Sequence, residues 1–112
     1  MSELNKSEID KHFGNIFKNY RNKRGLTQET IAELLNISSK YISRIENGTS
    51  GVSDETLISY INILGIVPND LYADFITNEN LKVQIELSKK ISNLPDNKLK
   101  FLLNILENLE KL

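Results

Sequence analysis

Basic side chains are concentrated in one stretch of this chain, where they can bind a negatively charged partner. Residues 11–52 contain seven lysines and arginines against three glutamates, a net charge of +4. The same count gives −2 for residues 1–10 and −3 for residues 53–112, so the whole chain of 112 residues totals only −1. A locally positive surface is what phosphate groups require. The count alone is equally compatible with charges scattered over solvated faces.

The sequence contains few residues that could support metal binding or catalysis. The chain has no cysteine, which excludes disulfides, thiolate zinc sites and cysteine nucleophiles. Its single histidine, His12, has no second histidine and no convincing carboxylate cluster, so we expect a structural or solvated role for it and neither a metal nor a cofactor. There is no Gly-rich phosphate loop and no serine or lysine with a recognisable base partner. We therefore do not expect an enzyme.

The composition is that of an ordinary soluble globular protein, with 39% hydrophobic and 26% charged residues. No window approaches the roughly 18 consecutive apolar residues that a membrane span needs. Residues 1–6 lack the apolar run of a secretory signal. Together with the absence of cysteine, these features predict a cytoplasmic protein with no membrane partner.

The apolar residues recur every three or four positions, and this spacing predicts helices along almost the whole chain. In the first helix Ser7 is the expected N-cap, Asp10 completes a capping box, and Gly25 provides the C-terminal stop. No stretch alternates every second residue as a strand would, so the predicted class is all-α. The next four helices are expected over residues 28–36, 38–46 and 53–65 and from residue 68 onwards, with Thr27 and Ser53 as the N-caps of the first and third of these. The apolar positions expected in the helix after Ser53 are Leu57, Ile58, Ile61 and Leu64.

Two of these predicted helices, residues 28–36 and 38–46, are joined by a tight connection and have the dimensions of a helix-turn-helix. A small residue is needed where the two helices cross, and Ala32 is placed for it. The turn needs a left-handed backbone, for which Asn36 is well suited. Ser38 then caps the second helix and leaves its first residues exposed. The residues expected to point inward are Ile31, Leu35, Ile37, Ile42 and Ile45.

Beyond about Thr77 the sequence predicts two more helices, over residues 79–91 and 95–109, the second with Pro95 at its first helical position. The last helix carries one apolar row made of Leu99, Leu102, Leu106 and Leu109, and a second made of Phe101, Ile105 and Leu112. A single row is enough to dock a helix onto its own domain, and this alternative stays open. Two rows favour burial against another chain, so we expect this helix to mediate dimerisation.

Three segments, Arg24–Ser38, Tyr41–Gly48 and Asp54–Tyr72, resemble the XRE (Cro/phage-repressor-like) helix-turn-helix family of transcriptional regulators. The resemblance extends over roughly residues 10–74. Asn36 stands where the family prefers glycine. Gly51 and Val52 stand where many members carry Asn-Pro before the fourth helix.

The resemblance implies both a domain organisation and a function. Residues 1–76 would form a five-helix lambda-repressor-like DNA-binding domain, followed in residues 77–112 by a two-helix dimerisation or interaction region. The implied function is that of a bacterial or phage repressor that binds a palindromic operator in double-stranded DNA as a homodimer, in the cytoplasm and associated with the nucleoid. The alternative is an antitoxin or anti-repressor type of module whose C-terminal helices bind a different, regulatory protein.

The same resemblance assigns individual roles. The base readers are expected on the outward face of the second motif helix: Ser39, Lys40 and Arg44. Two neighbours are expected to touch either a base or a phosphate, Tyr41 and Ser43, of which Tyr41 is equally expected to pack. The expected phosphate ligands are Gln28, Asn47, Thr49, Lys23 and Arg24. In this family an arginine of the first helix often pairs with the glutamate of the Glu-Asn-Gly run, which assigns a structural pair to Arg21 and Glu46.

Overall fold

The computed structural model describes residues 4–112, which form seven α-helices and one short 3-10 turn, with no strand among them. The predicted all-α class is thereby confirmed. The chain divides into two compact units, residues 4–75 and residues 76–112. Residues 1–3, with which the predicted DNA-binding segment begins, lie outside the described part. The helices are α1 (Lys6–Lys23), α2 (Gln28–Leu35), α3 (Ser39–Glu46), α4 (Asp54–Leu64), α5 (Pro68–Tyr72), α6 (Glu79–Ser92) and α7 (Asp96–Glu110), with the 3-10 turn at Ala73–Phe75.

The N-caps predicted for the middle helices are confirmed. In α2 the hydroxyl of Thr27 accepts a hydrogen bond from the backbone N–H of Thr30, at 3.0 Å. Ser38 caps α3 in the same way through its Oγ, which accepts the N–H of Tyr41 at 3.1 Å. Ser53 caps α4. Each cap satisfies an N–H that has no partner inside its helix, so the three helices begin at defined residues.

Two predicted helix starts are wrong. Asn5, and not Ser7, caps α1: its side-chain oxygen accepts the N–H of Ser7 at 2.8 Å, and the helix therefore begins at Lys6. The capping oxygen of Asn5 lies two residues before Ser7, and the Ser–Asp pattern concealed it. Pro95 is not the first residue of α7 but its N-cap, with an extended ψ of 159°, and the helix begins at Asp96.

The core of residues 4–75 takes side chains from each of the first five helices. Phe17 of α1 stacks on Tyr60 of α4, with ring centroids 4.1 Å apart and planes 8° from parallel. Tyr60 and Leu64 define the buried face of α4, whereas Ile58, expected on the apolar face, is 57% exposed. The largest fully buried side chains are Tyr60, Phe17, Ile31, Ile42, Ile45, Leu64 and Leu71.

Helices α1 and α3 pack against each other at Gly14, which is buried. A methyl group at this position would lie 2.8 Å from the carbonyl oxygen of Glu46 and closer still to that of Ile45. The obstructing atoms belong to the backbone of α3 and cannot rotate away. Glycine at position 14 therefore sets how deeply α3 sits against the rest of the domain.

We expect Gly14→Ala to lower the free energy of unfolding by about 1–3 kcal/mol, because the added methyl group must push α3 outward. The higher helix propensity of alanine, about 0.5–1 kcal/mol, offsets only part of this loss. Urea unfolding followed by circular dichroism measures the difference. Asn15→Ala is the matched control, since Asn15 is the exposed neighbour of Gly14 on the same helix. A Gly14→Ala protein as stable as the wild type would contradict this account of the α1–α3 contact.

Candidate nucleic-acid interface

The turn between α2 and α3 has the predicted left-handed geometry. Asn36 adopts φ 56° and ψ 44°, and it has the only positive φ among the described residues other than glycine. The N–H of Ile37 returns to the carbonyl oxygen of Ala32 at 3.0 Å, which closes the end of α2. Ser38 follows directly as the N-cap of α3. The two helices therefore cross at a fixed angle, and the first turn of α3 faces away from the core.

The outward face of α3 carries the three residues predicted to read bases, Ser39, Lys40 and Arg44, and all three are exposed. On the opposite face Ile42 and Ile45 are fully buried. The buried face therefore fixes the position of α3, while the side chains on its outer face remain exposed and can contact a partner.

An open cleft of about 600 Å³ lies where the N-termini of α2 and α3 come together. Gln28 of α2 and Lys40 of α3, assigned to phosphate and base contacts respectively, both line it. The first N–H groups of a helix lack intrahelical partners and carry partial positive charge. Two such helix ends beside one cleft favour an anionic ligand, although Glu29 on its wall opposes this. The full lining is Arg21, Leu26, Thr27, Gln28, Glu29, Ser39 and Lys40.

Behind this cleft, Arg21 and Glu46 form a buried, bidentate ion pair. Arg21 Nε donates to Glu46 Oε2 at 2.6 Å and Nη2 donates to Oε1 at 2.9 Å. The remaining guanidinium nitrogen, Nη1, donates to the carbonyl oxygen of Leu26 at 2.7 Å. The hydrogen bonds to Glu46 raise the pKa of Arg21 further above its already high value. One side chain of α1 thus holds both the end of α3 and the loop before α2.

Gln28 joins the same network. Its side-chain nitrogen donates to Glu46 Oε1 at 3.1 Å, and the residue is half-buried. An amide NH₂ group has two hydrogens, so one can bond to Glu46 while the other points to a ligand. Gln28 therefore links the first turn of α2 to the end of α3, and its role as a phosphate ligand stays a prediction.

Tyr60 lies beside this pair and is a core residue that the apolar pattern of α4 did not predict. Burial raises the pKa of its hydroxyl well above the usual range, and the negative charge of Glu46 raises it further. Its spacing from Leu64, four residues later on the same helix face, was the signal that could have identified it.

The loop after α3 places two predicted phosphate ligands, Asn47 and Thr49, on the exposed surface. Both the backbone N–H and the hydroxyl of Thr49 donate to the carbonyl oxygen of Arg44, at 3.0 and 3.2 Å. Between them, Gly48 has a φ of 75° and is packed against the backbone of Lys11. The loop is thus held at the C-terminal end of α3.

Lys23 and Arg24, also predicted to bind phosphate, do not line the cleft. Lys23 lies at the end of α1, with its Nζ 6.0 Å from the ring centroid of Tyr20. The guanidinium of Arg24 lies against Gly65, so closely that a Cβ there would be 2.7 Å from Arg24 Nη2. Arg24 therefore lies beside the end of α4, and neither cation lines the cleft that holds Gln28 and Lys40.

The two residues assigned to either base or phosphate differ in their surroundings. Tyr41 is half-buried, and its hydroxyl donates to the carbonyl oxygen of Gly51 at 3.0 Å. Its ring lies 5.6 Å from the guanidinium carbon of Arg44. Ser43 is half-buried on the side of α3 between the core and the outer face.

The second unit, residues 76–112, has no buried residue in either of its helices. Of the six residues predicted to mediate dimerisation, Leu99 and Leu102 are half-buried. The other four are exposed on α7: Leu106 by 41%, Leu109 by 58%, Phe101 by 69% and Ile105 by 46%. Leu103, which belongs to neither predicted apolar row, is 56% exposed and adds to the same apolar surface. Among the described helices, none is long and apolar enough to span a membrane.

We expect Arg21→Met to lower the free energy of unfolding by about 3–5 kcal/mol, because it leaves the Glu46 carboxylate buried without its partner. Urea unfolding at pH 7 measures the loss. Replacing both residues, Arg21→Met with Glu46→Leu, is expected to recover most of it, since no buried charge then remains. A single variant that loses less than about 1 kcal/mol, as for an exposed ion pair, would contradict the importance given to this contact.

Comparison with known proteins agrees with this geometry. A family described as Helix-turn-helix matches residues 17–71. Antitoxin PezA from Streptococcus pneumoniae serotype 4 is 33% identical over 85 residues, which cover 69% of this chain. The alignment covers 52% of the antitoxin, so the chain spans about half the length of this curated relative.

Solved structures give the same result. The restriction-modification controller protein C.AhdI from Aeromonas hydrophila matches with a TM-score of 0.51 and 31% identity, over 55% of this chain and 94% of its own. The clp gene regulator ClgR from Corynebacterium glutamicum matches with a TM-score of 0.55 and 26% identity, over 74% of this chain and 89% of its own. The capped helices α2 and α3, the left-handed turn at Asn36 and these matches all agree. The chain belongs to the XRE-type helix-turn-helix family of DNA-binding transcriptional regulators.

Proposed function

We propose that this protein is a sequence-specific transcriptional repressor that binds a palindromic operator as a homodimer. The observation that carries the proposal is the division of α3 into two faces. Ile42, Ile45 and Glu46 are buried and fix the helix, while Lys40 and Arg44 project from it into solvent. An α-helix presented in this way fits the major groove, where Lys or Arg can donate to guanine O6 and N7.

The surroundings of α3 supply the sequence-independent part of binding. The N-termini of α2 and α3 flank the cleft lined by Gln28, and a phosphate of the DNA backbone there would receive N–H donors from both helix ends. Asn47 and Thr49 would hold the DNA backbone at the C-terminal end of α3, which acts as the recognition helix. The acidic remainder of the chain limits non-specific affinity, so base reading has to supply the preference for one site.

A homodimer follows from the small number of base contacts that one recognition helix can make. Two copies related by a two-fold axis would read two half-sites about 34 Å apart, or a multiple of this spacing. The apolar side chains exposed on α7 support the second unit as the dimer contact, because so many exposed leucines on one helix are typical of an interface.

The proposal is tested by selecting bound sequences from random DNA with the wild type, Lys40→Ala and Arg44→Ala. Each substitution is expected to relax the preference at one position in each half-site, a loss of about 1–3 kcal/mol of discrimination. Lys89→Ala is the matched control, since Lys89 is an exposed lysine of α6. If neither variant changes the selected sequence, the assignment of α3 as the reading helix is wrong.

The dimer contact is tested with Leu106→Lys/Leu109→Lys, which places two charges on the exposed apolar surface of α7. We expect the variant to sediment as a monomer and to lose operator affinity, because the charges cannot be buried in an interface without a partner. Asn97→Lys/Asn104→Lys adds the same charge to exposed positions on the polar face of the same helix and is expected to remain dimeric. The chain cut after Thr77 should also be monomeric. A truncated protein that still sediments as a dimer would place the contact elsewhere.

The second candidate function is that of an antitoxin, and the 33% identity to Antitoxin PezA is what favours it. In that case α6 and α7 would bind a different protein, and DNA binding can coexist with this role. The two candidates differ in stoichiometry. A full-length chain that is monomeric alone, and whose α6 and α7 become protected from hydrogen exchange only with a foreign protein, would favour the antitoxin over the self-sufficient repressor.

A further inference from the structure

Tyr41 contacts two separate parts of the proposed DNA-binding surface. Its ring lies beside the guanidinium of Arg44, whose Cζ is 5.6 Å from the ring centroid. Its hydroxyl donates to the carbonyl oxygen of Gly51 at 3.0 Å. Tyr41 is half-buried, whereas Arg44 is exposed. Tyr41 therefore contacts the predicted base reader Arg44 through its ring and connects α3 to the following loop through its hydroxyl.

The far end of this contact is itself fixed. At Gly51 a Cβ would lie 3.1 Å from Lys6 Nζ and 3.2 Å from Asp10 Oδ1, so the loop packs against the start of α1. Lys6 and Asp10 hold each other there in an ion pair of 2.7 Å. The hydroxyl of Ser50 donates to the same carbonyl oxygen at 3.2 Å, and the hydroxyl of Tyr41 connects its ring to this loop.

A fixed ring restricts the otherwise flexible side chain of Arg44. An exposed arginine loses rotamer freedom when it pairs with a base, and a cation–π contact removes part of that freedom before binding. Stacking uses the face of the guanidinium and leaves the N–H donors at its edge free to bond to guanine. The backbone of Arg44 is held as well, because Thr49 donates two hydrogen bonds to its carbonyl oxygen.

We propose that Tyr41 is a positioning residue that determines base specificity through Arg44, without contacting DNA itself. The proposal rests on the proposed function, since it assigns to Arg44 the reading of a base. It separates the two halves of the tyrosine: the ring orients Arg44, and the hydroxyl anchors the ring and the loop at Gly51.

A double-mutant cycle tests the coupling. Wild type, Tyr41→Leu, Arg44→Ala and the double variant are compared on the selected duplex and on a duplex changed at the base pair whose preference depends on Arg44. Tyr41→Leu is expected to reduce discrimination between the two duplexes by about 3- to 10-fold, the range that a partly exposed cation–π contact supports. In the Arg44→Ala background the same change is expected to alter discrimination by less than about 2-fold.

Tyr41→Phe keeps the ring and removes only the hydroxyl. We expect its discrimination to lie between those of the wild type and Tyr41→Leu, because the ring still contacts Arg44 but has lost its anchor at Gly51, together with weaker binding to both duplexes through the loop. Tyr72→Leu is the matched control, because Tyr72 is an exposed tyrosine of α5 that contacts Phe13 and belongs to no part of the proposed interface. A Tyr41→Leu effect of the same size with and without Arg44 would overturn the proposal and indicate that Tyr41 touches DNA directly.

A second measurement does not depend on the folding of Tyr41→Leu. In the wild type and in Tyr41→Phe, NMR is expected to show the side-chain protons of Arg44 shifted upfield by the aromatic ring, without DNA. Unshifted protons in both proteins would overturn the proposal even if base selection by Arg44 is found. A wild type that selects no sequence would instead remove the proposed function, whatever the ring-current shift.

Discussion

The buried ion pair between Arg21 and Glu46 is the contact on which the rest of the first unit depends. It joins α1 to the last turn of α3, and through Leu26 and Gln28 it also reaches both the loop before α2 and α2 itself. A buried pair adds little net stability when it forms, because desolvation offsets the attraction, but a wrong arrangement leaves a charge unpaired at high cost. The main effect of the pair is therefore to fix how α1 and α3 pack. The close contact of Gly14 with the backbone of α3 leaves few alternative arrangements.

Sequence reasoning succeeded where structure is decided by neighbouring residues. The caps at Thr27 and Ser38 and the left-handed turn at Asn36 are local events, each settled by one side chain and the backbone beside it. It failed where two possible local solutions competed, as with Asn5 before Ser7. It also failed where tertiary packing chose the buried face, as with Tyr60.

The placement of the candidate site residues was predictable only in part, for the same reason. Lys40 and Arg44 follow from helix periodicity once Ile42 and Ile45 are buried. The separation of Arg24 from the cleft follows from how α1 and α4 pack, which the spacing of charges does not encode. Arg21 and Glu46 neutralise each other in the interior, so the +4 excess of residues 11–52 belongs to the remaining side chains. Net charge near zero is thus compatible with one positive surface.

The central claim is that α3, held by the Arg21–Glu46 pair, is the helix that binds DNA. The most direct measurement is an NMR titration of the full-length chain with the duplex obtained by selection, following every backbone amide. The account predicts that the largest shift changes cluster at the start of α2, along α3 and in the loop through Thr49, with small changes in the core of α4. Changes confined to α6 and α7, or no saturable change at all, would contradict it.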